Sequence, residues 1–341
     1  MRAASLLAIA AVGVLAYSHY QLLTSVSLPC PNKPPFFSVS YLVGSGSPAV
    51  PGALLLADLP LHREQIANDM ETIRAAGFDG VKLWFYFRQD NTVSYWTAKR
   101  AARTSLYPIG LLAGHNGKPA GQPFSEQELL EWERFVRTQV RATRDFVYFW
   151  EVWNEPDIQI FRYGSPAEYA ELLKRSCTVI KQENPHAKVV VAIGAADRQG
   201  LEYLRQLLAL GGGEYIDILG VHPYAANPYI RKDVFNQSLR AIKNIAREHG
   251  NRWPLWITEI GQPTSEVSDE LQAQLAEFVF QRAYEENIPV IWYHYSDKGS
   301  PGSPGTGMGW GLLRADDTPR PVFQRLQAFL GSHPRDSSPP K

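Results

Sequence analysis

The sequence predicts an α/β fold, a single (β/α)8 barrel, and three observations lead there. Eight short apolar runs rich in Val, Ile and aromatic residues recur from Phe36 onward, each followed by a stretch with helical periodicity. Most of the runs are apolar on both faces, as parallel strands buried between a core and a helical layer must be. Eight such units in about 300 residues match the size of a barrel closed by eight parallel strands. The alternative is a doubly wound open sheet, which more often carries a Gly-rich phosphate turn after its first strand. "GSGSPAVPG" (44–52) does follow the first run, but its prolines and missing helix cap make a poor dinucleotide loop.

Taken in order, the strands are "FFSVSYLV" (36–43), "GVKLWFYF" (80–87), "PIGLLAG" (108–114) and "FVYFWEVW" (146–153). "KVVVAIG" (188–194), "IDILGVH" (216–222), "PLWITEI" (254–260) and "PVIWYHY" (289–295) complete the set. Helical periodicity marks 61–76, a segment within 91–105, 125–143, 166–183, 199–210, 233–249, 267–286 and 319–331. Ser125 stands three residues before Glu128, the reciprocal pattern by which a hydroxyl and a carboxylate satisfy the free N–H groups of a helix start. The Gly-rich "GSPGSPGTGMGWG" (299–311) leads from the eighth strand, holds no Lys for phosphate and reads as a long loop. It carries Trp310 at the face where barrel enzymes keep their sites.

Composition excludes some functions. Lys plus Arg and Asp plus Glu are 34 each, so no basic excess points to nucleic acid and no charge block to an anionic membrane surface. Nine Trp and sixteen Tyr supply flat amphipathic surfaces suited to sugar rings as well as to a core. Residues 1–28 stand apart. Met1-Arg2 precedes an uncharged run from Ala3 to Tyr17, shorter than the roughly 20 residues a spanning helix needs. It reads as a signal peptide, with an uncleaved membrane anchor as the alternative, so export is expected. The barrel then occupies 36–331, and 332–341 is a disordered tail. Pro29 before Cys30 does not suit lipoprotein processing. Cys30 and Cys177 allow at most one disulfide, and two unpaired thiols are favoured. No Cys/His spacing resembles a zinc site, and neither a metal nor a cofactor is expected.

The chemistry is carried by "FWEVWNEPDI" (149–158). Pro156 cannot donate to a strand ladder, so the fourth strand stops there and Glu155 sits at its C-terminal end beside an apolar wall. Such surroundings raise a carboxyl pKa, as a general acid near neutrality requires. A partner should then end another strand, because barrel chemistry gathers at the C-terminal strand ends. "PLWITEIGQP" provides Glu259 at the end of the seventh. Two carboxylates across one cleft are what glycosidic cleavage uses.

"WNEP", "HPY", "WITEIG" and a Trp on the eighth strand, in this order and each on its own strand, resemble the clan A glycoside hydrolases, and most of all families 39 and 5. The resemblance spans about residues 36–331. It implies Glu155 as acid/base, Glu259 as nucleophile, and Asn154 as the amide bonding the sugar 2-hydroxyl. It also implies His222 and Tyr224 as the pair after strand six, the tyrosine holding the nucleophile, and Trp292 as the platform under the sugar. His115 falls where family 5 members often carry a substrate-contacting histidine, although an exposed loop histidine would look the same. One departure is Lys82, where many members place an arginine beside the nucleophile; the ammonium keeps the charge and loses the planar fork. Arg88 is the alternative cation.

The reading is thus a retaining glycosidase acting on a poly- or oligosaccharide as a monomer, with Glu155 shielded by Phe149 and Trp153 and kept protonated beside the Glu259 charge. The carboxyls should then lie about 5 to 5.5 Å apart. Transglycosylation would use the same residues, and a non-catalytic sugar-binding barrel would have lost one carboxylate. Trp84, Trp96, Tyr163, Tyr229 and Trp310 are candidates to line subsites, with helix–barrel packing as the competing explanation.

Overall fold

The computed structural model describes residues 26–42, 59–114, 120–194, 197–224, 231–298 and 308–333 of the 341. The N-terminal apolar segment to residue 25, the loop 44–52, His115, Tyr229, residues 299–307 and the tail from 334 lie outside the described residues.

Eight parallel strands close in sequence order: β1 (Phe37–Ser40), β2 (Gly80–Tyr86), β3 (Tyr107–Ala113), β4 (Phe149–Val152), β5 (Lys188–Ile193), β6 (Ile218–Val221), β7 (Leu255–Ile260) and β8 (Val290–Trp292). β8 pairs with β1, Ser38 beside Ile291, so the sheet has no edge. Helices follow as α1 (Leu59–Ala75), α2 (Thr92–Arg103), α3 (Glu126–Thr143), α4 (Pro166–Glu183), α5 (Arg198–Ala209), α6 (Lys232–Glu248), α7 (Asp269–Glu285) and α8 (Pro321–Ser332). Among the described residues, a 3-10 turn at Gly212–Tyr215 is the one addition to the regular alternation. The expected barrel and the expected elements are therefore present, with strand ends trimmed by up to three residues and β3 starting one residue earlier. β4 is shortened most at its start, because the amides of Phe146 and Val147 are used by the last turn of α3, both bonding the Thr143 carbonyl.

The Ser125–Glu128 pair caps α3 in both directions, and Ser165–Glu168 does the same for α4, where Pro166 occupies the first turn. Among the described residues no helix is long and apolar enough to cross a membrane. Cys30 is exposed, Cys177 sits half-buried in α4, and both are free.

Side chains divide between the lumen and the outer layer. Phe149 on β4 meets Trp256 on β7 at 5.0 Å between ring centroids; strands three positions apart can touch only through the lumen. The outer layer is held by rings such as Phe280 on α7, stacked on Phe37 of β1 and edge-on to Phe329 of α8. This packing fixes the strand ends on which the site is built.

Candidate active site

β4 leaves the sheet through a sharp turn. Trp153 and Glu155 both have left-handed backbone, with φ of 66° and 49°. Non-glycine residues in this region are uncommon and concentrate at functional sites. The turn sends the two side chains opposite ways. The Trp153 ring leaves the mouth and packs among Phe124, Trp132 and Tyr163, its Nε1 donating to the Phe161 carbonyl at 2.8 Å. Glu155 lies against Gly194 at the end of β5; a Cβ on that glycine would come within 2.8 Å of the Glu155 Cβ and within 2.7 Å of its Cγ. Only glycine leaves room for the carboxylate there.

Glu155 meets His222, which follows β6. His222 Nδ1 lies 2.7 Å from Glu155 Oε1, and Nε2 lies 3.1 Å from the Thr258 hydroxyl of β7. Burial raises the Glu155 carboxyl to about 7, with Lys82 pulling the other way, and lowers His222 to about 4. Near neutrality the imidazole is therefore uncharged and Glu155 can hold a proton. The protonated carboxyl donates to Nδ1 while Nε2–H donates to Thr258; when Glu155 is ionised, the tautomer and the Thr258 hydroxyl reverse.

Glu259, at the end of β7, is placed differently. The Tyr224 hydroxyl donates to Oε1 at 3.4 Å, and Lys82 Nζ stands 3.9 Å from Oε2. Burial raises this carboxyl too, with protonated His222 and Lys82 opposing the rise and the charges of Glu155 and Glu151 adding to it. Since His222 is neutral near pH 7, Lys82 is the cation that opposes the rise there. One side-chain atom each of Glu155, His222 and Glu259 lies within 4.8 Å of the others. Both His222 nitrogens are already hydrogen-bonded, so these three do not converge on a common cation.

Around the pair stand half-buried aromatics: Trp84 after Lys82 on β2, Tyr293 after β8, Trp310 beyond it, and Tyr224. Tyr293 meets Trp84 at 6.2 Å and Trp310 at 5.5 Å, and Trp310 meets Tyr224 at 6.1 Å. Asn154 is half-buried, and its Oδ1 is buried without a partner among the described residues, an acceptor left for a ligand.

Several expectations are corrected. Trp292 is not the platform: it is fully buried, faces the helical layer against Phe280, and Tyr293 is the ring that looks into the cleft. Lys82 does not reach a substrate; it is fully buried, its Nζ bonding Glu151 Oε1 at 2.9 Å and the Thr258 carbonyl at 3.2 Å. His222 is likewise fully buried and holds Glu155 rather than a sugar. Arg88 pairs with Glu131 and Glu128 at the surface. Trp153 does not wall Glu155. Tyr163 is buried among the outer rings, and Trp96 on α2 lies under the Arg63 guanidinium. The residues that sequence reasoning missed are Glu151, Thr258 and Tyr293. Glu151 had a signal: it and Lys82 are lone charges in otherwise apolar strands, and buried charges require partners.

The barrel is shared with solved structures. A family 39 glycoside hydrolase from Bacteroides cellulosilyticus WH2 superposes with a TM-score of 0.68 at 20% identity over 87% of this chain and 63% of its own. Xylanase 10B of Thermotoga maritima gives 0.60 at 16% identity, over 87% of this chain and 95% of its own. A family 5 enzyme from Streptomyces cattleya, solved with GlcNAc, gives 0.62 at 15% over 91% and 82%. The chain thus spans less than two thirds of the Bacteroides protein, and at these identities the likeness is one of fold. No curated protein matches the sequence. The sequence pattern of the glycosyl hydrolase catalytic core matches residues 134–324, more than half of the 341 and inclusive of both glutamates. The chain belongs to the glycosyl hydrolase catalytic core family, on a barrel whose fold is similar to those of the family 39 and family 5 enzymes.

Proposed function

We propose that the protein is a retaining glycoside hydrolase acting on a poly- or oligosaccharide, with Glu259 as nucleophile and Glu155 as acid/base. A Glu259 oxygen attacks the anomeric carbon as the bond to the leaving oxygen breaks, and the Glu155 proton passes to that oxygen. Glu155, now ionised, takes a proton from water as the water oxygen displaces Glu259 from the anomeric carbon. The Thr258–His222 chain follows the proton by reversing its hydrogen bonds. Asn154 offers its amide to the sugar 2-hydroxyl, Tyr224 orients Glu259, and Tyr293, Trp84 and Trp310 offer rings to the sugar faces.

The observation that carries this reading is the asymmetry of the two carboxyls. They lie within 4.8 Å, one bonded to a neutral imidazole and raised to about 7, the other facing a lysine. The difference lies in their partners, a neutral imidazole for Glu155 and a phenol and an ammonium for Glu259, and such a difference in surroundings suits one carboxyl to hold a proton and the other to attack. Purified protein tested on a panel of polysaccharides and aryl glycosides provides the test, with NMR of the first-formed sugar. Hydrolysis with kept anomeric configuration is expected; inversion, or no turnover across the panel, would overturn the proposal. The apolar N-terminal run makes export to the cell exterior or periplasm, or an outward-facing tether, part of the same proposal.

A further inference from the structure

Lys82 and Glu151 are a strand-borne ion pair in the barrel lumen, and both are completely buried. An isolated pair of this kind is a weak source of stability, because desolvation of the two ions offsets their attraction. Its position is more informative. The Lys82 ammonium has three donors: one bonds Glu151 Oε1 at 2.9 Å, one bonds the Thr258 carbonyl at 3.2 Å, and the third is left for Glu259 Oε2 at 3.9 Å. Glu151 Oε1 also lies 3.8 Å from His222 Nε2, and its Oε2 is buried without a hydrogen-bond partner among the described residues. The charged or titratable groups facing Glu151 are Lys82 of β2, His222 after β6, Glu259 of β7 and, more remotely, the Tyr169 phenol of α4.

We propose that Glu151 is a positioning residue for the nucleophile: it anchors the Lys82 ammonium beneath Glu259 and takes up part of its charge, so the ammonium remains paired when Glu259 does not carry a charge. The proposal rests on the glycosidase reading and adds a reason for a third buried carboxylate. When Glu259 forms its bond to the sugar, its negative charge disappears. Without Glu151, Lys82 would then be a buried cation with no directly bonded counter-ion, a state that opposes formation of the intermediate. With Glu151 present, the ammonium turns from a shared partner to a fixed one. Before attack the charges are Lys82 positive, Glu151 and Glu259 negative, Glu155 neutral. After attack and proton transfer they are Lys82 positive, Glu151 and Glu155 negative, Glu259 esterified. The net charge of the cluster is the same in both states.

The test is a carboxyl titration without substrate. Protein labelled with 13C at glutamate side-chain carboxyls is titrated by NMR, the Glu259 signal being assigned by its loss in Glu259→Gln. In Glu151→Gln the ammonium is freed for Glu259 and a neighbouring negative charge is removed, so Glu259 should titrate lower than in the parent by about 1 pH unit. An unmoved or raised Glu259 in folded Glu151→Gln would overturn the proposal, since it would show that the Lys82 ammonium is not shared between the two carboxylates. Should Glu151→Gln not fold, the neutral pair Lys82→Met/Glu151→Leu serves. Loss of the nearer cation should then raise Glu259 by about 1 unit, and no change would overturn the proposal equally. Failure of the wild type to hydrolyse any glycoside counts against the glycosidase reading and does not alter this titration.

Discussion

Replacing Glu155 with glutamine should make the protein more stable at alkaline pH while removing the proposed acid. The carboxyl is 8% exposed and raised from 4.5 to about 7 by burial. A carboxyl raised on folding binds its proton more tightly in the folded state. Its stabilising contribution is complete below about pH 4.5 and is lost as the pH rises to about 7. At about 1.4 kcal/mol per pH unit the loss between pH 5 and pH 8.5 comes to about 2–3 kcal/mol. The substituted amide does not titrate, and it can still donate to His222 Nδ1. The His222 contribution, lost as the pH falls from 6.5 toward 4, is common to both proteins and cancels. Calorimetric Tm values of the parent and Glu155→Gln at pH 5 and 8.5 give the comparison. The variant's advantage should grow by about 3–4 °C at the higher pH. An advantage equal at the two pH values would refute a buried, proton-holding Glu155.

Glu155→Ala should lose about 10²- to 10⁴-fold on substrates with poor leaving groups, keep most of its rate on activated aryl glycosides, and regain turnover with azide; equal losses on both substrates would count against an acid role. The kcat/KM profile of the parent should fall above about pH 7 as Glu155 ionises, and a profile flat from pH 6 to 9 would contradict the value raised by burial. Trp292→Ala should cost about 3–5 kcal/mol of stability with KM unchanged in the folded fraction, whereas Tyr293→Ala should raise KM about tenfold or more with little loss of stability; the reverse pattern would restore Trp292 to the cleft. Lys82→Met should destabilise by about 3–5 kcal/mol, and Lys82→Met/Glu151→Leu should recover most of that, because the damage is the stranded carboxylate. Additive losses in denaturant titrations would show that the two are not coupled.

The barrel and both carboxylates were legible because strand runs, their Gly and Pro boundaries and strand-end charges are local signals. What was not legible depends on phase and on partners. "PVIWYHY" has aromatics at three of its last four positions, and sequence does not say which face the lumen. The β7–β8 register shift between Ile257 and Ile260 belongs to that choice, and the cleft receives Tyr293 rather than Trp292. Trp153 faces away from Glu155 for a similar reason: alternation stops where the backbone takes a left-handed turn, and no residue type announces it. Lys82 stands beside the nucleophile as expected, but its bond to Glu151 and the bond of His222 to Glu155 were not legible, because these neighbours come from distant strands. A histidine with both nitrogens engaged, and a lysine with a carboxylate 69 positions away, read in sequence as available groups.

The central claim, that Glu259 attacks the sugar, is tested most directly by trapping. The 2-deoxy-2-fluoro glycosyl fluoride of the sugar found active in the substrate panel should inactivate the enzyme with a burst of one fluoride per chain. Mass spectrometry of the digest should place the fluoroglycosyl group on Glu259 and nowhere else. A label on Glu151 or Glu155, or steady turnover of the panel substrates with no covalent adduct under any condition, would contradict it.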